Sequence, residues 1–205
     1  AHDALGLAEL VRKGEVSVAE LEETARRGIE AVNGTINAVV GDVPLAEGRQ
    51  ETSSDAVFHG VPFLLKDLAH GYAGVPCEMG SRMGVGYINS AESVYGTRCK
   101  ASGLVAVGRT NTPEFGQSGT TEPVANGSTL NPYDLAVSAG GSSGGAAAAV
   151  AAGVVPIAHA SDAGGSIRIP AGWTGLVGHK PTRGLVSKGP QASDATVPLS
   201  VNLVV

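Results

Sequence analysis

Aromatic residues make up 4% of the 205-residue chain, and cysteine occurs only twice, as Cys77 and Cys99. Two cysteines without a C-x-x-C pair, and without histidines at metal-ligand spacing, exclude a disulfide framework and a zinc-finger-like site. They point instead to a reducing cytoplasm. Basic runs are also missing, and the net charge is −5, which excludes nucleic acid as the expected partner. No stretch reaches the ~18 uncharged apolar residues that a membrane span needs. Ala146–Ile157 comes nearest and is too short, and the charged opening AHDALGLAELVRKGEV is no signal peptide. Neither G-x-x-x-x-G-K-[ST] nor a strand-borne G-x-G-x-x-G is present, which disfavours a phosphate-binding loop. No metal or organic cofactor is implied.

Glycine, by contrast, is abundant. Thirty glycines are twice the usual ~7%, and two tight clusters lie at 140–145 and 164–165. With 42% hydrophobic residues the chain can bury a real core, so these clusters mark places where backbone must come close to something else.

The hydrophobic pattern predicts an α/β fold with a mixed, largely parallel central sheet flanked by helices on both faces. Residues 1–35 read as helical, with Ser17-Val18-Ala19-Glu20 as a capping box. Behind it Val18, Leu21, Ala25, Ile29 and Val32 form one apolar stripe, and Asn33-Gly34 is the expected end. Short strands are expected at Ile36–Val40, Val61–Leu65, Leu104–Val107 and Val154–Ala158, with helices at Val94–Ser102 and Ala146–Ala152. Pro198–Val205 reads as a final apolar strand, a liability if left unpaired, so the chain is expected to continue beyond it or to pair it elsewhere. No repeat or linker divides residues 1–205, which are read as a single domain.

Three segments carry chemistry. Lys66 directly follows a strand expected to be buried on both faces. It is either a strand-end lysine paired with Asp67, or a buried amine whose pKa falls far enough to make it a base near neutral pH. Ser142 and Ser143 lie in Ala139-Gly140-Gly141-Ser142-Ser143-Gly144-Gly145, a tight turn feeding an Ala-rich helix. G-x-S-x-G occurs there twice, but the only plausible later acid–histidine pair, Asp162 and His179, crowds too close behind for an α/β-hydrolase triad. In Asp162-Ala163-Gly164-Gly165-Ser166-Ile167-Arg168, two glycines before a serine let consecutive amides converge as in an oxyanion hole. Asp162 and Arg168 are placed to clamp that loop.

The stretch from Gly140 to Gly184, GGSSGGAAAAVAAGVVPIAHASDAGGSIRIPAGWTGLVGHKPTRG, resembles the amidase signature family nearly residue for residue. VPFLLKDL and GRTNTPEFGQSGTTEP resemble that family's other blocks, and Ser142 and Ser166 keep its 24-residue spacing. The resemblance implies the N-terminal, catalytic part of an amidase signature domain whose C-terminal half lies outside this chain. It implies a Ser–cis-Ser–Lys triad, with Ser166 as nucleophile, Ser142 (after a cis peptide) as relay and Lys66 as base. It places the oxyanion amides at Ala163, Gly164, Gly165 and Ser166, with Ser143, Asp162 and Arg168 in support. Ala163 departs from the threonine many relatives carry, which changes little where only the N–H is used. None of the five histidines is required.

The expected reaction is hydrolysis of a small-molecule amide. Two alternatives stand beside it. One is the glutamine-hydrolysing subunit of a tRNA-dependent amidotransferase; the other is a non-catalytic fragment that needs a partner chain. A homo-oligomer is compatible with all three.

Overall fold

A computed structural model describes residues 2–44, 53–187, 189–190 and 200–205. The predicted N-terminal helical region is two helices, α1 (Ala4–Arg12) and α2 (Val18–Ile36). They are separated by a turn in which Gly14 takes a positive φ. The capping box of α2 forms in both directions: Ser17 Oγ accepts from Glu20 N–H at 3.2 Å and Glu20 Oε2 accepts from Ser17 N–H at 2.8 Å. Helix α2 runs past Asn33-Gly34 because Asn33 turns its side-chain amide to β1 (Val39–Gly41), bonding both Val39 N–H and Val39 C=O. The helix stops at Asn37, which adopts the left-handed conformation at the C-cap, a role asparagine tolerates. The first strand therefore begins three residues later than expected.

The remaining elements are β2 (Pro62–Lys66), α3 (Val94–Ala101), β3 (Val105–Thr110), a two-stranded hairpin of β4 (Leu130–Asn131) and β5 (Asp134–Ser138), and α4 (Gly144–Ala151). These are followed by β6 (His159–Asp162), α5 (Arg168–Trp173) and β7 (Val201–Val204). The strand expected at Val154–Ala158 is displaced to β6. Pro156 has no N–H to give a ladder, and only Ala158 joins, as a single parallel bridge to Leu64. That bridge links the ladder β1-β3-β2 to the pair β6-β7. β2 lies parallel to β3, while β1 and β7 are antiparallel edges. The sheet is thus mixed with a parallel interior. β7 pairs with β6, so the final apolar strand finds its partner within the chain; Pro198 and Leu199 lie outside the described residues.

Strand alternation sorts the core into two layers. Phe63 and Leu65 of β2 and Ala106 of β3 pack with Ala8 of α1 and Tyr95 and Cys99 of α3. Leu64, Val105 and Val107 pack with Ala25 and Ile36 of α2 and with Ala146–Ala149 of α4. Helices therefore cover both faces. Because side chains two apart share a face, Lys66 follows Leu64 toward α4 and its N-terminal serines. No helix among the described residues is long and apolar enough to cross a membrane.

Candidate active site

The site forms where β2, the N-terminus of α4 and the loop after β6 meet. Lys66 is fully buried. Its Nζ lies 2.7 Å from Ser142 Oγ and 3.0 Å from Ser161 Oγ. Asp67, the neighbour that could have neutralised it, instead holds Arg109 Nη1 at 2.7 Å in a buried ion pair. Burial drives the Lys66 pKa down to about 7, with the negative charge of Asp162 opposing the fall. Near neutrality a large share of this amine is therefore unprotonated and able to accept a proton.

Ser142 and Ser143 are both buried, and the Gly141–Ser142 peptide bond is cis. The glycines beside them are required by close approach. A Cβ on Gly141 would fall 2.6 Å from Thr120 C=O, and one on Gly145 would fall 2.3 Å from Asn111 N. Ser143 ties three segments together. Its N–H donates to Ser166 C=O at 3.2 Å, while its Oγ donates to Ser161 C=O and accepts from Ser161 N–H, each at 3.3 Å.

Asp162, at the end of β6, organises the following loop. Its carboxylate accepts from Gly165 N–H at 2.8 Å and Ile167 N–H at 3.2 Å, and takes Arg168 in a two-pronged pair at 2.9 and 3.0 Å. Burial, the largest single influence, pushes the Asp162 pKa up, but Arg168 and the two backbone donors together bring it below the usual carboxylate value. One expectation changes here: the Gly165 amide is committed to Asp162 and is not free to meet an oxyanion. Among the described residues, no intramolecular hydrogen bond occupies the N–H groups of Ala163, Gly164 and Ser166. Gly165 serves through its conformation, with φ +130°, and a Cβ at this position would fall 2.8 Å from Ile169 Cδ1. Gly165→Ala is expected to cost roughly 1–3 kcal/mol of backbone strain as well as shifting Ile169. A thermal melt compared with Gly164→Ala, which meets no atom within 4 Å, checks this.

The structure thus brings Lys66, Ser142, Ser143, Asp162 and the 163–166 loop together. It does not join every pair: among the described residues no hydrogen bond links the Ser142 and Ser166 hydroxyls, and the two serine segments meet through Ser143 and the Ser166 carbonyl. Ser166 is half-buried. Sequence reasoning missed Ser161, the second hydroxyl on Lys66 Nζ, although it adjoins Asp162; a strand-borne serine offers no signal until its partner is known. It missed His159 as well, whose Nδ1 accepts the Lys66 N–H at 3.2 Å. Among the described residues, no group of three or more His, Cys, Asp or Glu side chains is placed to hold a metal ion.

A buried Lys–Ser pair beside a Gly-Gly-Ser loop is an arrangement in which an unprotonated amine can take a proton from a hydroxyl. The family model for amidases matches residues 20–202, and the chain belongs to that family. It is 47% identical over 198 residues to a 6-aminohexanoate-cyclic-dimer hydrolase of Paenarthrobacter ureafaciens, covering 94% of this chain and 40% of that protein. A solved 6-aminohexanoate cyclic dimer hydrolase with substrate superposes with a TM-score of 0.87 at 43% identity, covering 95% of this chain and 41% of the other. A glutamyl-tRNA(Gln) amidotransferase subunit from Thermotoga maritima superposes with a TM-score of 0.78 at 31% identity, covering 96% and 42%. The chain spans about 40% of the length of the curated relatives it matches.

Proposed function

We propose that this chain carries the catalytic core of an amidohydrolase that cleaves a small carboxylic amide through an acyl-enzyme on Ser166. The observation that carries the reading is the 2.7 Å contact between the buried Lys66 Nζ and Ser142 Oγ. Neutral Lys66 takes the Ser142 proton as Ser142 takes that of Ser166, and Ser166 Oγ attacks the amide carbon. Substrate binding closes the Ser142–Ser166 link, since catalytic hydrogen bonds often tighten only in the complex. The oxyanion is met by the amides of Ala163, Gly164 and Ser166. The proton returns through Ser142 to the departing amine, and water then releases the acid.

The substrate class that best fits is a linear or cyclic amide without a tRNA partner, on the strength of the closer likeness to a cyclic-dimer hydrolase. This chain spans about 40% of such relatives, and turnover is proposed to need the remaining portion, C-terminal to these residues, because one wall of the substrate cleft would come from there. The test supplies a full-length polypeptide containing these residues, and residues 1–205 alone, with 6-aminohexanoate cyclic dimer, short linear amides and glutamine. Hydrolysis of cyclic or linear amides by the long form only is expected. Ammonia release from glutamine stimulated by ATP and tRNA would support the amidotransferase instead, and full turnover by residues 1–205 would remove the need for the further portion.

A further inference from the structure

We propose that His159 is a positioning residue for Lys66, its imidazole holding the lysine's backbone at the point where β2 and β6 part. The inference rests on the reading of Lys66 as the base. The backbone of β2 is bridged to the chain entering β6 at Leu64–Ala158. A continuing parallel ladder would give the Lys66 N–H to a β6 backbone carbonyl. It goes to His159 Nδ1 at 3.2 Å instead. The sheet opens at that step, and Lys66 Nζ reaches the hydroxyls of Ser142 and Ser161.

The ring is held in place from every side. His159 is fully buried, with the Tyr95 ring of α3 against it at 5.0 Å between centroids. Tyr95 Oη is itself anchored, donating to Leu203 C=O at 3.1 Å. To accept the Lys66 N–H, Nδ1 must carry no proton, so the ring is neutral and protonated on Nε2, with the Asn202 side chain as its hydrogen-bonding neighbour. The surroundings keep it neutral. Burial first, then the nearby His70 and Lys66, lower its pKa well below the ordinary value, with Asn202 opposing; His70 is itself pushed down to about 4 by burial.

His159 does not reach the reacting atoms. It acts by fixing where the lysine stem begins, and a displacement of about 1 Å can cost on the order of 100-fold in rate. The experiment compares His159→Asn, whose side-chain oxygen falls where Nδ1 stands, with His159→Gln, of like polarity but with its oxygen one carbon further out. Both are measured in a full-length polypeptide containing the chain, together with Lys66→Met. The Gln variant is expected to lose roughly 10- to 100-fold in kcat with KM unchanged. Its acid limb moves to higher pH, because a loosened Lys66 is better hydrated and keeps its proton longer. The Asn variant stays within about threefold of the parent. Equal effects of Asn and Gln, or a Gln variant whose acid limb stays in place, would overturn the proposal. An active Lys66→Met would instead overturn the reading of Lys66, while an inactive Lys66→Met beside an unaltered Gln variant would sink only the role of His159.

Discussion

Ser166→Ala is expected to abolish acylation, with a loss on the order of 10⁶-fold, the scale seen when the nucleophile of a serine hydrolase is removed. Ser142 and Ser143, the two serines of the glycine-rich turn, cannot substitute. Ser143 is fully buried and its hydroxyl is engaged with both the N–H and the C=O of Ser161. Ser142 is also buried, with its Oγ on Lys66. Ser166 is half-buried, and its own amide and those of Ala163 and Gly164 make no hydrogen bond among the described residues. A fluorophosphonate probe followed by peptide mapping is therefore expected to label Ser166 alone, and the Ala variant not at all. Labelling of Ser143 would contradict the assignment. Since the substitution removes one hydroxyl that makes no hydrogen bond among the described residues, the melting temperature should hardly move, which separates lost chemistry from lost folding.

Much of the fold was legible because its signals are local. The capping box at Ser17 and Glu20 is a four-residue pattern, and the apolar run before Lys66 marks a strand buried on both faces. Errors arose where tertiary contacts decide an outcome. Helix α2 outlasts Asn33-Gly34 because Asn33 bonds a strand that follows it. β6 starts late because a proline denies the ladder an N–H, while an apolar run signals a strand regardless. The site divides along the same line. Lys66, Ser142 and Asp162 stand in segments whose composition is unusual for their place. Ser161 and His159 stand in ordinary strand positions and acquire meaning only from what lies opposite them. The Gly165 amide shows the reverse error: a Gly-Gly-Ser loop suggests converging donors, but not that one is claimed by the aspartate three residues earlier.

Lys66→Met tests the base and produces two effects of opposite sign. Loss of the base is expected to slow acylation on the order of 10⁴-fold, the upper range for general acid–base catalysis. In the parent, activity should fall as pH drops through about 7, because protonation removes the accepting lone pair, by roughly tenfold for each further pH unit; the variant's residual rate should lack that limb. Stability moves the other way. The folded-state pKa lies below the unfolded value of 10.5, so between pH 7 and 10.5 the unfolded chain binds the extra proton and stability rises with pH. Burying this lysine therefore carries a cost of about 5 kcal/mol that is fully present below pH 7 and is relieved as pH approaches 10.5. Methionine removes that cost but leaves the Ser142 and Ser161 hydroxyls short of a partner, at about 1–3 kcal/mol each. The net change at one pH is thus smaller than either contribution, and the pH dependence is what discriminates. Denaturant unfolding should show the Met variant gaining most over the parent at pH 6, with the difference shrinking by several kcal/mol toward pH 10. A difference that stays flat across that range would mean that Lys66 keeps its ordinary pKa in the folded protein, and the proton relay would lose its base.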